Sequence, residues 1–459
     1  MSNKVNPILN TDSYKPSHYL QYPPGTEVVF SYIESRGGVY PKTLFAGVLP
    51  YIKEYLNTPV TMEDVLEAEE FFNMHGEPFN KQGWIDMTNE YEGYFPVRIR
   101  AVKEGLVVPV GNVLVTVENT DPKFYWATSY IETALLRAVW YMTTVATISW
   151  SIKQVIKQYL EETGDPAGLA FKLHDFGARG VSSYESAGLG GAAHLINFMG
   201  SDTITGILAA KKYYNEPMAA FSIPAAEHSS ITSWGRTREV DAYRNMLTQF
   251  GGEGKLVAVV SDSYDILKAC ELWGTVLKQE VIESKTTVVV RPDSGHPETV
   301  VLDVVRKLDE YYGSVVNEKG FKVLNNVRVI QGDGINEQSI RGILMNLKFA
   351  GYSADNVAFG MGGALLQQMN RDTQKFAMKA SAARINGEWI DVWKDPVTDP
   401  GKISKKGRIT LVTTKFGNIQ TIQERHLDNG DYEMLETIWE NGKLLRDQTF
   451  SEIRELSNR

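Results

Sequence analysis

Short apolar runs alternate with helical segments through the middle of the chain, after Pro166 and up to about Lys379. The runs are Leu169–Leu173, Ala219–Ile223, Leu256–Val260, Thr287–Val290, Val327–Ile330 and Asn356–Phe359. Continuous apolar strands that alternate with helices indicate a parallel sheet covered by helices. This series of units fits either a closed barrel or a doubly wound sheet.

The residues that follow these runs are mostly charged or glycine. They are His174–Gly177, Glu227–His228, Ser261–Ser263, Arg291–Gly295, Gly332–Gly334 and Gly360–Gly363. In a barrel all strand ends face one side, where active sites are built, whereas a doubly wound sheet uses only the ends near its switch point. Because charged residues or glycines follow nearly every predicted strand, the sequence favours the barrel.

The two ends of the chain carry a different pattern. Alternating β-branched runs at Val97–Val102 and Val113–Val117 predict a small antiparallel sheet. Residues 125–162 form a helical stretch without Pro or Gly, and short strands and turns return at 384–425. We therefore predict a second, mixed α+β sheet domain built from both chain termini. The predicted segments are 1–165 for its N-terminal part, 166–380 for the α/β barrel and 381–459 for the C-terminal return.

Composition excludes several classes of protein. The 459 residues are 43% hydrophobic and 22% charged, as in ordinary globular proteins, and the net charge of -9 argues against a nucleic-acid-binding surface. No apolar run approaches the roughly 18 residues that span a bilayer, and Met1–Pro7 lacks the apolar core of a signal peptide. Cys270 is the only cysteine, and no CxxC or HExxH motif occurs. These features favour a cytoplasmic protein without a zinc site.

Three strand ends offer chemistry for a phosphorylated sugar, each with a plainer alternative. The glycines of Gly360–Gly363 let backbone N–H groups approach a phosphate, or they make a tight turn. Asp333, between two glycines, can accept bonds from vicinal hydroxyls or cap a helix. Arg291 can bind phosphate or pair with Asp293.

Three other features complete the set. Phe176, next to Gly177, can stack on a flat heterocycle. The basic run Lys402–Arg408 is either a solvated loop or a cover for pyrophosphate. His228 lies in Phe221–Ser230, between a strand end and a predicted helix start. It is either a structural residue or a nucleophile. Together these residues predict an enzyme that acts on a phosphorylated ribose and a planar base.

Six segments, in order along the chain, resemble the nicotinamide phosphoribosyltransferase family of type II phosphoribosyltransferases. They are Lys172–Gly177, Pro224–Ser229, Ser261–Asp265, Arg291–Gly295, Val329–Gly334 and Lys394–Val397. The resemblance begins at Thr11–Lys15 and covers nearly the whole chain. It implies an irregular (β/α) barrel, a homodimer with active sites at the subunit interface, and a role in NAD salvage. The implied reaction moves 5-phosphoribose from phosphoribosyl pyrophosphate to nicotinamide, giving nicotinamide mononucleotide and pyrophosphate.

The resemblance also implies roles for single residues on the base and ribose side. Phe176 and Tyr14 of the partner subunit would sandwich the pyridine ring. Asp202 would accept a hydrogen bond from the carboxamide and repel nicotinate. The other residues implied to hold the base, ribose or 5′-phosphate are Asp12, Arg179, Arg291, Asp293, Gly332, Asp333, Gly362 and Gly363.

On the pyrophosphate and ATP side, the implied residues are Arg36, Arg371, Lys379, Lys394 and Lys402, with Arg371 and Lys379 from the partner subunit. His228 would be phosphorylated by ATP and hydrogen-bonded by Asp262, so His228, Asp262 and Asp293 form the implied catalytic set. Mg²⁺ would arrive with pyrophosphate or ATP, and no metal site of the protein's own is expected.

Two positions depart from the family pattern. Ala377 stands where a hydroxyl residue is expected near the phosphates, and Ala364 stands where a further glycine would fit. Three alternative functions stay open at this point. A nicotinate phosphoribosyltransferase would share the fold, but Asp202 favours the amide. A non-catalytic dimeric binding protein would be expected to have lost His228, Asp333 or the Arg291–Asp293 pair, and all of them are present. A metal-dependent aldolase is disfavoured because no convincing Schiff-base lysine stands at a strand end.

Overall fold

The computed structural model describes residues 5–398 and 402–459 and divides into two compact units. Unit 1 holds residues 1–147, 213–215 and 369–459, and unit 2 holds 148–212 and 216–368. The sequence places the divisions at 165/166 and 380/381, whereas the structure has them at 147/148 and 368/369. The first division falls inside one continuous helix, Glu132–Thr163. No change in the sequence pattern marks this position. Met1–Lys4, part of the predicted N-terminal segment, lies outside the described residues.

The strands are β1 Thr26–Ser35, β2 Lys42–Leu44, β3 Val97–Ala101, β4 Val107–Pro109, β5 Val113–Asn119, β6 Leu173–Asp175, β7 Gly200–Ser201, β8 Leu256–Val260, β9 Thr287–Arg291, β10 Ser314–Val316, β11 Lys322–Leu324, β12 Val327–Gln331, β13 Val357–Met361, β14 Phe376–Ile385, β15 Glu388–Asp391, β16 Ile409–Thr413, β17 Ile419–Gln423, β18 Tyr432–Glu433, β19 Glu436–Glu440 and β20 Lys443–Leu444.

The α-helices are α1 Val48–Tyr51, α2 Met62–His75, α3 Lys81–Glu90, α4 Ala127–Tyr130, α5 Glu132–Thr163, α6 Tyr184–Leu195, α7 Ile204–Tyr214, α8 His228–Thr232, α9 Glu239–Phe250, α10 Ile266–Gly274, α11 Lys278–Ser284, α12 Pro297–Tyr312, α13 Glu337–Phe349, α14 Gly363–Leu366 and α15 Phe450–Ser457. In the described residues, no helix combines the length and the hydropathy that crossing a membrane requires.

Unit 2 is built on a parallel sheet with the order β7-β6-β13-β12-β9-β8. Isolated parallel bridges join Gly200 to Phe221 and Ala225 to Ala258, so the segment Phe221–Ala225 lies between the two outer strands. The ring is thereby completed, which confirms the predicted irregular barrel. Strands β8, β9 and β12 are mostly apolar because most of their residues are buried between the barrel interior and the helices.

Two predicted strands differ from the structure. Most of Leu169–Leu173 is a 3-10 helix, Pro166–Phe171, because Pro166 fixes its backbone for a helical first turn and Asp165 caps it. Ala219–Ile223 makes only the bridge at Phe221. Pro224 follows directly and has no N–H to donate, although its carbonyl still accepts from the N–H of Ala258 at 2.9 Å.

Unit 1 contains a seven-stranded sheet with the order β15-β14-β1-β5-β3-β19-β20 and antiparallel pairing. Strands β1, β3 and β5 come from the N-terminal part of the chain, and β14, β15, β19 and β20 from the C-terminal part. The sheet domain predicted from both termini is therefore confirmed. The predicted pair at 97–117 corresponds to β3 and β5, which lie side by side.

Candidate active site

The carboxyl ends of β6, β8, β9, β12 and β13 carry most of the predicted site residues of unit 2. Because these strands are parallel neighbours, their ends meet at one rim of the barrel. The predicted residues in unit 2 are Phe176, Arg179, Asp202, His228, Asp262, Arg291, Asp293, Gly332, Asp333, Gly362 and Gly363. The contacts below show how several of them are held together.

Phe176 is fixed from several sides just after β6. Its N–H donates to the carbonyl of Met361 at 3.0 Å. A Cβ on Gly360 would lie 1.9 Å from Cε2 of Phe176, so only glycine fits beneath the ring. The guanidinium carbon of Arg291 lies 5.7 Å from the ring centroid. A Cβ on Gly332 would lie 3.4 Å from Phe176, Arg291 and Asp293 alike, so this glycine lets three site residues close around it.

Asp202 is an exposed carboxylate with a defined orientation. Its Oδ1 accepts a hydrogen bond from the hydroxyl of Ser222 at 2.6 Å. Its backbone N–H donates to the carbonyl of Asp175 at 3.0 Å. Ser222 was not predicted as a site residue, and no charge or spacing in the sequence distinguishes it from other serines. Its position in the segment that completes the barrel is visible only in the fold.

His228 belongs to a network that joins three strand ends. Its Nε2 lies 3.1 Å from Oδ1 of Asp262, and its Nδ1 lies 3.9 Å from Oδ2 of Asp293. Asp262 Oδ2 accepts from the Asp293 N–H at 3.0 Å and the Ser294 hydroxyl at 2.5 Å. The Asp262 side chain is only 4% exposed, while that of His228 is 46% exposed. A fixed acceptor at Nε2 favours the proton on that nitrogen, which leaves Nδ1 of the neutral ring with its lone pair.

The remaining rim residues lie around this network. Arg291 donates to Oδ1 of Asp293 through Nε at 3.1 Å and Nη2 at 2.6 Å, so the ion pair proposed from sequence is present. Asp333 is exposed, and its carbonyl accepts from Gln331 Nε2 at 3.0 Å. Ser294, like Gln331, was not predicted as a site residue.

The glycine loop lies next to the turn that carries Arg179. A Cβ on Gly180 would lie 3.7 Å from Gly363, and a Cβ on Gly363 would meet nothing within 4 Å. The space above Gly363 is therefore open, as an anion-binding loop requires. The helix that follows is α14, shorter than the predicted run Ala364–Met369.

A cavity of about 460 Å³ runs through the barrel interior of unit 2. Phe176 and Asp202 line it at the rim, and Lys172 and Arg328 line it near the opposite strand ends. Burial lowers the pKa of Lys172 to about 8, and its Nζ donates to the carbonyls of Ala354, Asp355 and Val357. The walls between are mostly aliphatic, so the cavity suits a flat, weakly polar molecule.

Unit 1 holds the predicted phosphate-binding cations. Burial lowers the pKa of Lys379; the neighbouring charge of Glu132 opposes this shift, and Arg36 and Lys394 add to it. Arg36 Nε donates to Glu34 at 3.1 Å, while its Nη2 is buried without a hydrogen-bond partner in the described part of the chain. Arg36, Lys379 and Lys394 thus form one group of neighbouring cations.

The other predicted site residues of unit 1 have contacts of their own. Arg371 pairs with Asp372 at 3.3 Å, and Lys402 is exposed. Asp12 accepts from the Thr133 hydroxyl at 2.7 Å. Tyr14 is 52% exposed; partial burial raises its pKa, and the charges of Asp12 and Glu132 act in the same direction. Ala377 pairs with Glu34 in the β1–β14 register and brings no donor to this group.

The fold is similar to that of a solved nicotinate-nucleotide pyrophosphorylase. The crystal structure of nicotinate-nucleotide pyrophosphorylase from Pyrococcus furiosus matches with a TM-score of 0.66, covering 100% of this chain and 96% of that chain. Only 17% of the residues are identical, so the match shows the fold alone.

The sequence comparisons are more specific. The nicotinate phosphoribosyltransferase (NAPRTase) family model matches residues 171–440, and that of the nicotinamide phosphoribosyltransferase N-terminal domain matches residues 6–99. A nicotinamide phosphoribosyltransferase of Xanthomonas campestris pv. campestris (strain 8004) is 59% identical, over 98% of this chain and 97% of the relative. One of Acinetobacter baylyi is 31% identical, over 99% of this chain and 97% of the relative. The chain belongs to the nicotinamide phosphoribosyltransferase family.

The contact between Gly360 and Phe176 yields a prediction. Gly360→Ala must displace the aromatic ring, and a misplaced ring should lower kcat/KM for the pyridine substrate by about 10²-fold. Gly168→Ala is the control, because its Cβ would meet only Lys172 Cε at 3.7 Å. Steady-state kinetics of both purified variants test this. Equal activity of Gly360→Ala and wild type would show that Phe176 is not held by this contact.

Proposed function

We propose that the protein transfers 5-phosphoribose from phosphoribosyl pyrophosphate to nicotinamide, giving nicotinamide mononucleotide and pyrophosphate in NAD salvage. The observation that carries the proposal is that Phe176 and Asp202 line the same cavity of the barrel. An aromatic ring provides a stacking face for a pyridine, and a carboxylate accepts from the amide N–H of its substituent. The relatives at 59% and 31% identity are nicotinamide phosphoribosyltransferases, which supports the same substrate.

Asp202 favours nicotinamide over nicotinate for an electrostatic reason. Ser222 donates to one carboxylate oxygen and leaves the other to accept from the carboxamide. Nicotinate would bring a second negative charge to this position, and like charges at short range are strongly unfavourable. Ser222 therefore orients the acceptor that selects the amide.

The transfer itself needs charge stabilisation more than proton transfer. As the bond from C1′ to the pyrophosphate oxygen breaks, positive charge builds on the ribose and negative charge on the leaving group. The pyridine nitrogen, which carries no proton, forms the new bond to C1′. Asp293 and Asp333 would hold the ribose hydroxyls, and Arg36, Lys379 and Lys394 would bind the pyrophosphate.

Mg²⁺ fits this donor set as a companion of the pyrophosphate. In the described ranges, no three His, Cys, Asp or Glu side chains are grouped to hold a metal ion by themselves. Magnesium bound to a substrate phosphate needs only one or two protein carboxylates, which Asp293 and Asp333 would supply. When bound, the ion would neutralise charge on the leaving group.

ATP would act through His228. Because Nε2 faces Asp262, Nδ1 would attack the γ-phosphorus of ATP. The N–P bond forms while the bond from the γ-phosphorus to the β–γ bridging oxygen breaks, and ADP leaves. Water later hydrolyses the phosphohistidine to phosphate. Asp262 would stabilise the positive charge that the imidazole gains, as an orienting carboxylate does for other nucleophilic histidines.

A homodimer with shared sites is part of the proposal. Tyr14 and Arg371 are about half exposed on unit 1, with Tyr14 at 52% and the Arg371 side chain at 55%, so a second subunit can reach them. Asp12 would accompany them across the interface, whereas Lys379 lies in one group with Arg36 and Lys394 of its own chain. A cytoplasmic location agrees with the single buried cysteine, Cys270.

Product analysis tests the main proposal. The protein is incubated with phosphoribosyl pyrophosphate and either nicotinamide or nicotinate, with and without ATP. We expect nicotinamide mononucleotide and pyrophosphate from the first base and far less product from the second. Preferential use of nicotinate would instead favour a nicotinate phosphoribosyltransferase.

Asp202→Asn should narrow the preference for nicotinamide over nicotinate by at least about tenfold, because the like-charge repulsion disappears. The measurement is the ratio of kcat/KM for the two bases. Asp303→Asn makes the same chemical change on the exposed surface of α12 and serves as the control. An unchanged ratio in Asp202→Asn would remove this residue from the base site.

His228→Ala should keep basal synthesis while the ratio of rates with and without ATP falls to about one. Phosphorus NMR of the wild-type protein should place the phosphoryl group on Nδ1. His426→Ala, at an exposed histidine of unit 1, should respond to ATP like the wild type. Normal ATP stimulation of His228→Ala would contradict the phosphohistidine role.

A further inference from the structure

Asp175 is a buried carboxylate that the reaction described above does not use. It ends β6, is fully buried, and precedes the aromatic platform Phe176. Burial raises the pKa of Asp175 to about 6. A buried carboxylate destabilises the folded protein unless its hydrogen bonds offset the cost of burial. The contacts of Asp175 therefore indicate its role.

The side chain of Asp175 fixes the chain on the far side of the platform. Its Oδ1 accepts from the N–H of Gly177 at 2.7 Å, which spans Phe176 in one tight turn. A Cβ on Gly177 would lie 3.0 Å from this same oxygen and 2.6 Å from Leu366. Phe176 is thus held between its own bond to Met361 and the turn closed by Asp175.

The backbone of Asp175 reaches the other half of the base site. Its carbonyl accepts from the N–H of Asp202 at 3.0 Å. Asp175 therefore contacts both Gly177, which follows the stacking ring, and Asp202, which would face the carboxamide. In the parallel register Asp175 pairs with Met361 on one side and Ser201 on the other, so it is the central strand position between the two.

The second oxygen of Asp175 faces Thr203. Oδ2 is buried without a hydrogen bond of ordinary geometry in residues 5–398 and 402–459, although Thr203 faces it. Asp165 makes the same type of bond: its Oδ1 accepts from the N–H of Ala167 at 2.9 Å, while the residue remains exposed to water. A turn of this kind does not require a buried charge. The charge does strengthen the bond to Gly177, because hydrogen bonds to an ionised acceptor are stronger than neutral ones.

We infer that Asp175 is a positioning residue that sets the spacing between the stacking ring of Phe176 and the amide acceptor Asp202. The inference rests on the proposed function, since it assumes that these two residues bind nicotinamide. Asp175 does not touch the substrate in this account. It acts through Gly177 and through the backbone of Asp202, so loss of its side chain should affect the pyridine and spare phosphoribosyl pyrophosphate.

The test compares the full-length Asp175→Ala and Asp175→Asn variants with wild type. Asp175→Ala should raise the KM for nicotinamide about tenfold, change the KM for phosphoribosyl pyrophosphate less than about twofold, and lower the preference over nicotinate. Asp175→Asn keeps an acceptor at Oδ1 and should restore most of the loss, leaving a rise of about two- to threefold. Asp165→Ala, which removes the matching exposed bond, should leave both KM values unchanged.

Equal changes in both KM values, or none, in Asp175→Ala would overturn the inference. If the alanine variant does not fold, Asp175→Asn decides alone: a selective rise in the nicotinamide KM supports the inference, and its absence refutes it. A wild-type protein that makes no product from nicotinamide would instead refute the proposed function.

Discussion

The common direction of the barrel strands is the constraint on which the site of unit 2 depends. Parallel neighbours deliver their carboxyl ends to one rim, so residues far apart in the chain become close in space. His228 meets Asp262 and Asp293 in this way, although they come from three different strand-to-helix connections. Had one of these strands run in the opposite direction, its polar end would lie at the other opening of the barrel.

At the rim, similar side chains take different roles because their surroundings differ. Asp262 is buried and saturated with donors from Asp293 and Ser294, so it can only hold the imidazole of His228. Asp202 is exposed and receives a side-chain donor from Ser222, so it keeps an oxygen for a ligand. In the proposed function, the same carboxylate chemistry thus orients His228 in one place and recognises the base in the other.

The sequence predicted the features that depend on local pattern. Val257, Val288 and Val329 lie in runs that are mostly apolar, and such runs become buried parallel strands. It did not predict β7, because two residues carry no periodicity. It also missed Ser222 and Ser294, since a serine gains its role only from the neighbour that the fold provides. The resemblance to a known family supplied Asp202, which composition and spacing alone would not single out.

The segment Phe221–Ala225 completes the barrel with one bridge on each side, whereas β8 and β9 share a five-residue register. A piece of chain held by so few ladder bonds can open locally at a lower free energy than its neighbours. Ser222, which donates to Asp202, lies in this segment. If Asp202 selects the amide as proposed, mutation of Ser222 should change the preference for the base at little expense to global stability, because the segment shares only one bridge with each neighbour.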